Sequence, residues 1–96
     1  MAIVMVFQGG GLTQEKYAEV VRKMTGKERL ESPSDWPVPG LLAHAAGQGE
    51  QGFRVVDVWE SQEACERFGE TLAPLLQEVG IASQPELYPA QVFVSA

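Results

Sequence analysis

Few side chains in this chain are placed to do chemistry, and the most conspicuous is Asp57. It lies in the run Phe53 to Glu60, FRVVDVWE, which alternates as a strand does and carries an acid where its neighbours are apolar. A carboxylate set among Val55, Val58 and Trp59 loses hydration, which is the usual way a carboxylate becomes a general base. Deprotonating an acidic phenol or enol needs such a base and a pocket that stabilises the anion. The alternative is an Asp57 that pairs with a neighbour or points into interfacial water. The only histidine, His44, lies in the preceding apolar run. If the two runs form a hairpin whose paired positions sum to 101, His44 and Asp57 face each other, and a slip of one separates them. Facing each other, they would form a pair in which the carboxylate sets the imidazole tautomer. Otherwise His44 is a satisfied core histidine. The turn GQGEQG is too rich in glycine to choose.

Other residues complete the candidate pocket. Trp59 and Phe53 supply apolar wall, Val55 sits between them, and Gln91 is the polar side chain in the middle of the last apolar run. Trp36 interrupts a long connection, GKERLESPSDWPVP, residues 26 to 39, as a plug that pins the loop or as a lid. Tyr17 belongs to an apolar helix stripe and reads as core, and Tyr88 as a rim residue. Cys65 has no basic partner in view and reads as an inert buried thiol. The chain has no CxxC, HExxH, phosphate-loop or serine-elbow motif, and Gly9 to Gly11 reads as a turn. Neither metal nor cofactor is expected.

The elements that position these residues follow from periodicity. Ala2 to Phe7 is a buried strand closed by three glycines. Thr13 caps a helix whose stripe is Tyr17, Val20, Val21 and Met24, and Gly26 ends it. Leu41 to Ala46 and Phe53 to Glu60 form a hairpin. Ser61 caps a second helix with the stripe Ala64, Cys65, Phe68 and Leu72, and Pro74 predicts a kink or break near Thr71 to Ala73. Glu86 to Val94 supplies the last strand, at an edge because of Pro89. The order β-α-β-β-α-β gives an α+β, ferredoxin-like split βαβ sandwich, with both helices on one face of a four-stranded antiparallel sheet. In this reading Val56 and Val58 lie under the helices, with Arg54 and Glu60 at that side's rim. Phe53, Val55 and Trp59 then lie on the open face, where a second copy covers them. Exposed apolar patches of that size mark an interface, so a homodimer is expected.

Composition limits the partners. The 96 residues, 1–96, make one domain, with 45% hydrophobic and 21% charged residues. A net charge of -6 with seven scattered cations opposes nucleic-acid binding. No apolar run approaches the ~20 residues of a membrane span. MAIVMVFQ lacks a basic flank and reads as a strand, not a signal peptide. One cysteine excludes an internal disulfide and fits a reducing cytoplasm.

In the segments PGLLAHAAG and VVDVWESQEACERF the chain resembles the dimeric α+β barrel proteins, and within them the antibiotic-biosynthesis-monooxygenase-like (ABM) domains. The resemblance covers nearly the whole length through element order and is sharpest where a strand-ending Trp-Glu-Ser meets the second helix. It implies a homodimer and a small hydrophobic or aromatic ligand. Members of that superfamily include cofactor-independent oxygenases of aromatic polyketide-like substrates, haem-degrading enzymes and isomerases. Trp59 matches the tryptophan lining the oxygenase pocket. Four residues earlier those enzymes often place an asparagine, and here Val55 stands there. The haem-degrading relatives use a helical histidine, whereas His44 is in a strand. The resemblance therefore implies a monooxygenase-like enzyme with Asp57 as base and His44 as partner, acting on a small aromatic or enolisable metabolite. The alternatives are a non-catalytic binder of hydrophobic ligands and a structural dimer.

Overall fold

The computed structural model describes residues 1–95. Strand β1 (Ile3–Gln8) leads to helix α1 (Gln14–Thr25), and a long connection containing a single 3-10 turn (Pro33–Asp35) follows. Strands β2 (Leu41–Gly49) and β3 (Gly52–Trp59) form the hairpin. Helix α2 (Gln62–Val79) and strand β4 (Glu86–Pro89) complete the order β-α-β-β-α-β. The four strands lie in the order β2-β3-β1-β4, and every neighbouring pair is antiparallel. This is the expected α+β, ferredoxin-like arrangement. No helix among the described residues is long and apolar enough to cross a membrane.

Both helices start and stop where the sequence directs. The Thr13 side chain accepts from Lys16 N at 3.1 Å, and Ser61 accepts from Ala64 N at 3.1 Å. Gly26 and Gly80 close them in the left-handed conformation that glycine adopts without steric cost. Val20 and Val21 of α1, and Ala64, Cys65, Phe68 and Leu72 of α2, are buried. Helix α2 runs unbroken through Pro74, so the expected break does not occur. Burial of Phe68 and Leu72 on one side of the proline, with Leu75 and Leu76 packed on the other, holds both halves against the sheet.

Three further expectations are corrected. The first concerns the faces of β3. Phe53, Val55, Asp57 and Trp59 point under the helices, into a core shared with Met5, Phe7, Phe68 and Leu72. The pairing Ile3↔Trp59, Met5↔Asp57 and Phe7↔Val55 carries that face across to β1. The open face is the smaller set, Val4, Val6, Val56 and Val58, with Arg54 at its rim. Both sets are apolar, so hydrophobicity alone does not orient the strand. The aromatic set buries more apolar area against the helices than four valines would, and the chain turns that way.

The second correction concerns the last strand, which ends at Pro89 instead of Val94. Pro89 pairs with Ile3, and the final contact is Ala90 N donating to Ala2 O at 2.8 Å. Gln91 is therefore exposed outside the sheet, away from the candidate pocket, and Val92 and Val94 are 82% and 84% exposed.

The third is one of extent: β2 continues past Ala46 to Gly49, and Glu50 and Gln51 alone make the turn. Two loop contacts constrain the body around the hairpin. Gly40 has φ +109° and accepts from Glu60 N at 2.8 Å, and a Cβ there would lie 2.7 Å from the Ala64 Cβ. Gly10, at φ +61°, accepts from Ala82 N at 2.7 Å.

Candidate functional site

The two-residue turn fixes the hairpin register, because a tight turn leaves no slack for slippage. From Gly49↔Gly52 back to Ala43↔Val58 the pairs run without interruption, and His44 stands opposite Asp57. An irregularity between Leu41 and Ala43 comes only after that pair. His44 Nδ1 lies 2.5 Å from Asp57 Oδ1, with the Asp57 side chain 3% and the His44 side chain 15% exposed. An ionised carboxylate can only accept, so opposite it Nδ1 carries the proton and donates to Asp57.

The second ring nitrogen is also engaged. His44 Nε2 lies 2.7 Å from the Tyr17 hydroxyl, which donates to it when the ring is neutral. Tyr17, His44 and Asp57 thus form one hydrogen-bonded chain from helix α1 to strand β3. Tyr17 was read from sequence as core. The available signal was a tyrosine in a stripe otherwise made of Val20, Val21 and Met24, since a buried hydroxyl needs a partner. Burial pushes the Tyr17 phenol above its ordinary value of 10.0, and the Asp57 charge adds to that. The phenol is therefore a proton donor at neutral pH.

Aromatic rings wedge this chain in place. The Tyr17 ring meets Phe53 at 5.2 Å, and Trp36 meets His44 edge-on at 4.6 Å. Trp36 is buried, so it plugs the long connection onto the body directly over the imidazole. Its loop is held by Lys27, whose ammonium pairs with Asp35 at 2.6 Å. That ammonium and the Glu31 and Ser32 amides bring Asp35 down to about 2.

An apolar cavity of about 50 Å³ lies between helices and sheet. Tyr17, His44 and Asp57 form its polar wall, and Val55, Phe7, Phe68 and Leu72 are among the rest. Val55 is therefore at the cavity and Phe53 beside it. Trp59 is not on the lining. It is fully buried against Phe68 at 4.7 Å, and its indole N–H has no partner. Cys65 is buried with its thiol pushed up, first by burial and then by the Asp57 and Glu66 charges. No cluster of three or more His, Cys, Asp or Glu side chains suited to a metal lies among the described residues.

The arrangement resembles several solved structures along almost its whole length. A candidate monooxygenase from Shewanella loihica PV-4 superposes with a TM-score of 0.58 at 18% identity, covering 96% of each chain. SnoaB, a cofactor-independent oxygenase from Streptomyces nogalater, gives 0.59 at 15% identity over 99% of this chain and 96% of that one. The chain shares the α+β, ferredoxin-like fold of these structures. A conserved protein from Methanosarcina mazei Go1 gives 0.52 at 17% identity, over 92% and 89% of the two chains. No protein-family model and no curated protein matches the sequence. At these identities the likeness to ABM-like structures is one of fold, and the chemistry must be argued from the side chains.

Proposed function

We propose that this chain is a cofactor-independent, oxygenase-like enzyme acting on a small aromatic or enolisable metabolite, as a cytoplasmic homodimer folded as one domain. The observation that carries this reading is the chain Tyr17–His44–Asp57 on the wall of an otherwise apolar cavity. Asp57 holds the imidazole in the tautomer whose Nε2 accepts. As an acidic C–H or O–H of the substrate gives its proton to the Tyr17 oxygen, Tyr17 passes its own to Nε2. The imidazolium so formed is stabilised by the buried carboxylate, as in other carboxylate–histidine pairs.

Dioxygen is the co-reactant. For a substrate methylene carbon flanked by activating groups, the carbanion adds dioxygen to form a C–O bond, and the peroxide takes up a proton. Loss of the second C–H proton with cleavage of the O–O bond gives the carbonyl and water. One methylene group and one dioxygen molecule thus yield one carbonyl and one water, with carbon losing four electrons and dioxygen gaining them. Val55, apolar where many such oxygenases carry an asparagine, favours a second reading in which the pocket holds a hydrophobic ligand without turnover.

Oxygen uptake in the presence of a panel of phenols and enolisable aromatic ketones tests the proposal. Consumption should match carbonyl formed, and Asp57→Asn should lower the rate by ~10²–10⁴-fold, the usual weight of a general base, because without the carboxylate the imidazole no longer presents an accepting Nε2. Wild-type rates in Asp57→Asn would sink the enzyme reading. Binding of a ketone without oxygen uptake would favour the second. The open face formed by Val4, Val56 and Val58, with Tyr88 on β4, is the surface a second copy would cover. Val58→Lys should convert a dimer to a monomer in light scattering, and a wild-type monomer at micromolar concentration would contradict the dimer.

A further inference from the structure

The cavity beside Asp57 is too small for the ligand class just proposed. Benzene occupies engineered cavities of ~150 Å³, and this one measures about 50 Å³. It can hold the reacting end of a ring system, but the bulk of the molecule must lie in an adjoining cleft. Three clefts share walls with it, and the smallest, about 120 Å³ under Trp36 and meeting it at His44 alone, is too small for such a body.

The edge cleft, about 460 Å³, meets the cavity only at Tyr17 and His44. Passage there would break the 2.7 Å hydrogen bond that joins them and disconnect the proton chain. Its remaining lining includes Gln14, Glu28, Arg29 and Gln48, a poor surface for an apolar ring. The second cleft, about 510 Å³, runs along α2 and the segment after it. It meets the cavity at Phe7, Leu72, Leu76 and Ile81, where only apolar side chains need to move. That volume falls within the ~300–1,000 Å³ of ordinary ligand pockets. Pro74 lies between the two leucines and lacks the N–H that would bond to the Glu70 carbonyl, so the helix ladder is interrupted at the shared wall.

Resting on the proposed function, we infer that the α2 cleft is the binding site for the body of the ligand, a largely apolar group too large for the cavity itself. Leu72 and Leu76 form the gate through which its reacting end meets Tyr17 and Asp57. Gln77 and Gln84, on the cleft lining, offer the few polar contacts that would orient such a molecule.

Gly69 makes the test clean. It lines the cleft, sits inside α2, and a Cβ built there meets nothing within 4 Å. Gly69→Leu therefore fills the cleft with a residue that favours the helix, and its melting temperature should hold or rise. The probe is N-phenyl-1-naphthylamine, followed by its fluorescence. Gly69→Leu should weaken probe binding at least tenfold, and Ala46→Leu, which fills the edge cleft, should leave it within twofold. Unchanged affinity in Gly69→Leu, or a tenfold loss in Ala46→Leu, would overturn the assignment. Because no turnover is measured, failure here leaves the oxygenase reading standing, and failure of oxygen uptake with intact probe binding separates the two.

Discussion

Substituting Asp57 by asparagine while also removing the Tyr17 hydroxyl tests whether these two groups, on different elements, act through one imidazole. In the native chain Asp57 accepts from Nδ1 at 2.5 Å and Tyr17 donates to Nε2 at 2.7 Å. An ionic hydrogen bond contributes ~1.5–3 kcal/mol and a neutral one ~0.5–1.5 kcal/mol. Asparagine keeps the shape of Asp57, but its amide NH2 group faces Val55, Phe68 and Leu72 with no acceptor unless the ring gives up its Nδ1 proton. The tautomer then inverts, Nε2 becomes a donor, and Tyr17 can no longer donate to it. Asp57→Asn should therefore cost about 2 kcal/mol, or ~8–16 °C in melting temperature for a domain of this size. Tyr17→Phe should cost about 1 kcal/mol. The double variant should lose less than the sum, by ~0.5–1.5 kcal/mol, because the second substitution removes a bond that the first has already reversed and weakened. Urea denaturation gives the energies. The single histidine makes the ring nitrogen NMR signals unambiguous, and they should exchange their protonated and unprotonated patterns in Asp57→Asn. Additivity within ~0.3 kcal/mol together with an unchanged tautomer would refute the shared-imidazole argument.

Three further outcomes are expected. Trp36→Ala removes the ring that packs at 4.6 Å over His44 and should cost about 2–4 kcal/mol, with faster proteolysis within residues 26–39; unchanged protease resistance would show that the loop is held by other contacts. Gly40→Ala forces a side chain onto φ +109° and into the Ala64 methyl, and should lower stability by about 2–4 kcal/mol in chemical denaturation. For alkaline pH, the folded state raises the Tyr17 phenol, so it holds that proton more tightly than the unfolded chain does. The resulting stability is complete below pH 10 and is lost as pH rises through the folded value. Tyrosinate absorbance should show one late-titrating group that disappears in Tyr17→Phe, and its persistence in that variant would exclude Tyr17 as its source.

Much of the scaffold was legible because its signals are local. The caps at Thr13 and Ser61, the stops at Gly26 and Gly80, and both helix stripes depend on residues three or four apart, which a sequence displays directly. Element order then led to the antiparallel sheet. The candidate pair His44 and Asp57 could be named because each is a polar group in an apolar strand, but their meeting depended on a register that only the completed turn at Glu50 and Gln51 supplied. Gln91 was misplaced because the pairing of β4 with β1 stops at Ile3 and Pro89, a non-local limit that the apolar pattern of residues 86–94 does not display.

Composition and spacing by themselves determined the elements, their order and the residues with unusual polarity. Tertiary structure decided which side of β3 faces the helices, that Tyr17 completes the hydrogen-bonded chain, and that Trp59 fills the core instead of lining the cavity. The division has a physical cause. Periodicity records that a side chain is buried, but when both faces of a strand are apolar, the choice between them is a competition in buried area and shape against helices distant in sequence.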